Sequence, residues 1–110
     1  MPRGEFLGEF EQILLLALVR LEKQAYGMAI RDEIEARTGR EVSIGSVYSA
    51  LDRMERTGFV VSRLGDPTSA RGGRAKRFYK LERPGVVALH RSRVVLSSLW
   101  EGLDLDPKAS

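Results

Sequence analysis

Cysteine is missing from this 110-residue sequence, and histidine occurs once, at His90. The first absence excludes disulfides and thiolate metal sites, and the second argues against a zinc site made of protein ligands. Long apolar runs are missing too. The longest, Ile13 to Val19, is far shorter than the ~20 residues a helix needs to span a bilayer. A secretory leader would begin basic and then turn apolar, but Glu5, Glu9 and Glu11 occupy that stretch, so a cytoplasmic protein without a membrane partner is expected. No nucleophile stands with a base, and no carboxylate pair falls in a recognisable frame. The glycines near position 72 lack the strand–loop–helix setting of a phosphate cradle. Neither an enzyme nor a bound cofactor is expected.

What remains is an ordinary soluble composition, 43% hydrophobic and 30% charged, enough for one domain with a modest core. The net charge of +3 leans towards an anionic partner. Its placement matters more than its size.

The stretch Val42–Phe59 organises the rest. Ser43 suits a helix N-cap and Gly58 the left-handed position that closes one. Ile44, Val47, Leu51 and Met54 share one face at three- and four-residue spacing. At about 100° per residue, Gly45, Ser46, Ser49, Arg53 and Arg56 fall on the opposite face. That face begins small and hydroxylated and ends cationic, which suits close approach to a polyanion; an ordinary surface helix is the plain alternative. Ser46 and Ser49 can bond base edges or phosphates, and Arg53 a phosphate or a guanine. Tyr48, on the flank, can place its ring in the core and its hydroxyl on a phosphate, or simply pack; Tyr26 has the same two readings.

Around this stretch the spacing predicts a first helix over about Gly8–Glu22 and a second over Tyr26–Thr38, with Ile30 and Ile34 inward and Gly39 as its stop. Phe10, Ile13, Leu14, Ala17, Leu18 and Leu21 form the first helix's stripe, while Leu15, Leu16 and Val19 fall outside it. A helix apolar on so many sides needs more than one cover, either a second chain or the C-terminal helix of the same chain. Phe59–Leu64 and Lys76–Leu81 read as strands joined by a long tip. Arg71, Arg74, Lys76, Arg77 and Lys80 crowd this tip and its second strand, so it can follow a phosphate backbone; a solvated charge run is the alternative. Pro84 opens a last helix in which Val86, Leu89, Leu96, Trp100 and Leu103 form a heptad-like seam. The expected class is mainly α with a small β-hairpin: an arm over 1–7, a winged helix-turn-helix over 8–82, a C-terminal dimerisation helix over 83–103 and a tail over 104–110.

The segments ILLLALV, AYGMAI, SIGSVYSALDRMERTGFV and GGRAKRFYKL, followed by Gly85, resemble the PadR family of bacterial transcriptional regulators from about Leu7 to Leu89. The resemblance implies a homodimeric winged-helix repressor that binds a pseudo-palindromic operator in double-stranded DNA. It carries DNA contacts onto Ser43, Gly45, Ser46, Tyr48 and Ser49, and onto Arg71, Arg74, Lys76 and Arg77. It also implies that the C-terminal helix packs on the partner's first helix, giving an interface from Leu15, Leu16, Val19, Leu89, Leu96, Trp100 and Leu103. Some family members release DNA when an aromatic compound binds between protomers. Two positions depart from the pattern: Glu82 replaces the usual Thr before the last helix, and Trp100 falls about one turn beyond an interfacial aromatic platform. The rival classes are a winged-helix protein-interaction module and a ligand sensor without specific DNA reading.

Overall fold

A computed structural model describes residues 6–65 and 75–108. Four helices and one hairpin follow in the order α1 (Glu9–Leu21), α2 (Gly27–Thr38), α3 (Ile44–Arg56), β1 (Val60–Leu64), β2 (Arg77–Leu81) and α4 (Arg83–Trp100). A 3-10 turn over Glu22–Gln24 links α1 to α2. The mainly helical class with a small hairpin is therefore observed.

Local chemistry sets most element ends. The Glu11 carboxylate accepts the Gly8 N–H at 3.0 Å, closing the first turn of α1. Gly39 takes φ 70° at the end of α2, and its N–H reaches Glu35 O, as its role of helix stop requires. Ser43 caps α3 by accepting the Ser46 N–H at 3.0 Å. No side chain caps α4 at Glu82, and its helix begins with proline in the first turn instead.

The core joins Leu14, Leu15 and Leu18 of α1, Ile30 and Ile34 of α2, Val47, Leu51 and Met54 of α3, and the hairpin residues Val60 and Tyr79. α1 is sandwiched, touching α2 on one side and β2 on the other. This corrects part of the expected interface. Leu15 is 0% exposed inside its own chain and is not offered to a partner, whereas Leu16 stays 52% exposed. Leu7, expected in a loose arm, is buried against the same core.

The hairpin is antiparallel, pairing Val60 with Leu81 and Leu64 with Arg77. Ala25 and Tyr26 dock on its β2 side through a Tyr26–Phe78 bridge and a Tyr79 N–H to Ala25 O bond of 2.8 Å. α4 touches its own chain through Gly85, Ala88 and Ser92, one turn apart along its first half. Gly85 is required there, since a Cβ would lie 2.6 Å from the Phe59 carbonyl oxygen. The helix ends at Trp100, short of the expected boundary, and Gly102 turns the chain at φ 80° so that Leu103 lies beyond it. No helix among the described residues is long and apolar enough to cross a membrane.

Candidate nucleic-acid interface

Amphipathic spacing places α3 with Val47, Ala50, Leu51 and Met54 inward, so its opposite face turns outward as expected. Gly45, Ser46, Ser49 and Arg53 are exposed on that face and, with Ser43 and Phe10, line a shallow open cleft. The structure thus brings together the small, hydroxylated and cationic residues singled out in the sequence. A Cβ on Gly45 would meet nothing nearer than Ser43 Oγ at 4.0 Å, so the fold does not need glycine there. What glycine supplies at that position is a low helix surface that lets a ligand approach the backbone.

The hydroxyls at the head of α3 are ordered. Ser43 Oγ donates to Ser46 Oγ at 2.8 Å while accepting the Ser46 N–H. Ser43 is therefore engaged in capping, and Ser46 is the hydroxyl presented outward. Arg53 is paired with Glu11 at 3.7 Å and Arg40 with Glu9 at 3.1 Å. The Arg40 guanidinium also lies 6.0 Å from the centre of the Phe10 ring. Exposed pairs of this kind are worth about 0–1 kcal/mol, so a phosphate can compete for either arginine. The sequence reading missed the carboxylates of α1 beside α3. Only the Gly8–Glu11 capping pattern is visible locally, and it says nothing of Arg53.

Tyr48 packs on one side and is open on the other. Its phenol lies across the first residue of α2, where a Cβ on Gly27 would come 2.5 Å from the ring and its oxygen. The other side of the residue remains exposed. Tyr26 is held at the wing root: its ring meets Phe78 edge-on at 5.7 Å, and Lys76 Nζ stands 4.2 Å from its centre. Lys76 is thereby positioned at the base of the wing on the surface.

Arg77 is placed differently from Lys76. Its guanidinium donates to Ser62 Oγ at 3.0 Å, and Ser62 donates to the Glu55 carboxylate at 2.7 Å, tying both strands to the end of α3. Beside this network, burial pushes the Tyr79 phenol up from its usual value of 10.0; Asp52 and Glu55 add to the shift and Arg77 opposes it. Arg71 and Arg74 lie outside the described residues.

The expected interface residues other than Leu15 divide in two. Leu16, Val19, Leu96, Trp100 and Leu103 are exposed, and Leu89 is half-buried against its own core. Beyond Leu89 the seam is uncovered by its own chain, and Leu16 and Val19 stay exposed as well.

The profile of the Transcriptional regulator PadR-like family matches residues 15–91. No curated protein sequence matches significantly. A PadR-like transcription factor from Bacteroides fragilis has a TM-score of 0.69 at 22% identity, covering 84% of each chain. The hsRosR-S4 complex structure gives 0.67 at 27% identity over 93% of this chain and 79% of that one. The Orc1 protein of Aeropyrum pernix, solved in complex with DNA, gives 0.62 at 22% identity over 84% of this chain but 26% of its own. The same winged helix-turn-helix is thus found in regulators of matching size and within a larger DNA-bound protein.

Proposed function

Because the chain belongs to the PadR-like family, whose members are transcriptional regulators and not enzymes, we propose that it is a homodimeric repressor reading a pseudo-palindromic operator in duplex DNA. The observation that carries this reading is the outer face of α3. Gly45, Ser46, Ser49 and Arg53 form one exposed strip with a flat head, a row of hydroxyls and a cation. A helix with that profile fits a major groove, where hydroxyls meet base edges and arginine meets phosphate or guanine. Lys76 at the wing root and the basic tip beyond it serve the flanking phosphates. The DNA-bound state of the Aeropyrum pernix neighbour supports a duplex as partner.

The exposed seam of α4 supports a second copy as the other partner. Val94, Val95, Leu96, Leu99 and Trp100 run along one helix without cover. Apolar surface on that scale favours association. A C2 dimer then presents two α3 helices to successive major grooves, about 34–36 Å apart, and repression follows from occupying the operator. Trp100, exposed on the same seam, gives an aromatic effector a surface to stack on, and quenching of its fluorescence followed by DNA release is the readout for that role.

Selection of bound sites from a random duplex pool near physiological salt tests the reading. An enriched inverted repeat with half-sites one helical turn apart is expected. Retention without an enriched sequence reduces the protein to a non-specific winged helix, and no retained DNA moves the assignment to a protein-interaction module.

A further inference from the structure

A cleft of about 770 Å³ opens between the hairpin, the end of α1 and the start of α4. Its apolar lining includes Leu18, Val19, Val61 and Val86. Lys23, Arg63 and Lys80 stand around it against one acid, Glu22, and among the described residues none of the three cations is in an ion pair. The Arg63 guanidinium lies over Phe78, 5.0 Å from the centre of its ring. The cleft therefore suits an apolar segment that carries negative charge.

The chain contains such a segment. After α4 the sequence runs Leu103-Asp104-Leu105-Asp106, with both leucines and both aspartates exposed. In an extended conformation that alternation places the leucines on one side and the carboxylates on the other. We propose that the cleft receives this segment from a second copy of the chain, with Leu103 and Leu105 against the apolar lining and Asp104 and Asp106 towards Lys23, Arg63 and Lys80. The proposal rests on the homodimer reading and adds to it a contact that the α4 seam does not supply.

The chain's own segment is out of reach. From Val86, which lines the cleft, to Trp100 the helix rises about 21 Å at 1.5 Å per residue. The five residues from Trp100 to Leu105 span at most about 17 Å, and the turn at Gly102 shortens that further. With α4 intact, only a partner's tail can enter. In a two-fold dimer the exchange is reciprocal, each tail bracing the other protomer's wing root.

The absence of native cysteine makes a clean test. Val61 and Leu105 are both exposed, so V61C and L105C leave the core untouched. The full-length double variant, under mild oxidation by oxidised glutathione, is expected to give a disulfide-linked product of twice the chain mass. An equimolar mixture of the two single variants should give the same product. Replacing Leu103 and Leu105 by serine together is expected to raise the dimer dissociation constant at least about tenfold. A linked product of single-chain mass overturns the assignment to a second copy. A dimer by sedimentation that forms no link overturns the tail contact alone, whereas a monomer overturns the homodimer reading along with it.

Discussion

α3 and α4 are both amphipathic, but only α3 is satisfied within its own chain. All of its larger inward side chains from Val47 to Met54 are buried, and its outer face is small and polar. α4 buries Gly85, Ala88 and Ser92 and leaves Val87, Val94, Leu96, Leu99 and Trp100 in the open. The difference shows how to tell a helix built to present a surface from one waiting for a cover. A presenting helix places its apolar side chains inward and its small residues outward. A waiting helix turns small residues to its own chain and large apolar ones away.

The contrast can be broken most severely inside α3. Leu51→Ala is expected to cost about 2–5 kcal/mol, read by urea unfolding, with a loss that does not depend on protein concentration. Gly85→Ala attacks the small-residue contact of α4 and is expected to cost about 1–3 kcal/mol, since Phe59 backbone cannot yield as a side chain would. Leu96→Ser should instead act through association. Sedimentation is expected to show a dimer constant weakened about tenfold, with unfolding in the dilute limit within about 0.5 kcal/mol of the parent.

Gly45→Gln sharpens the comparison from the other side. It removes a helical glycine, so stability holds or rises by up to about 1 kcal/mol, while duplex affinity by fluorescence anisotropy falls about tenfold. Unchanged affinity would move the DNA contact away from the head of α3.

The smallest effect is a pH dependence at the hairpin. The folded state raises the Tyr79 phenol above 10.0, so it holds that proton more tightly than the unfolded chain. The associated stability is present below 10.0 and is lost as pH rises through the folded value. Tyr79→Phe should therefore flatten the alkaline limb of a stability–pH curve. An unchanged limb would place the titration elsewhere.

Legibility in the sequence followed the range of the interaction. Ser43, Gly39 and Gly58 mark helix ends through their own backbones and neighbours, so those ends were readable. The inward face of α3 repeats at a fixed period and was readable for the same reason. Leu15 was not, because α1 packs on both α2 and β2, and no local pattern says how many of its sides are covered. In sequence Arg77 is one basic residue among several; strand register turns it to Ser62, which in turn bonds Glu55. The Glu11–Arg53 pair joins helices whose crossing no local pattern encodes. At the candidate site, residue types were legible and their partners were not.

The hydroxyl pair at the head of α3 carries one more consequence. Ser43 Oγ holds Ser46 Oγ at 2.8 Å before any partner arrives. With one lone pair engaged in that bond, Ser46 Oγ keeps one proton to donate and one lone pair to accept with, so the bond restricts where the hydroxyl sits more than what it can meet. A hydrogen bond internal to the first turn thus narrows the geometry of contacts made outside it.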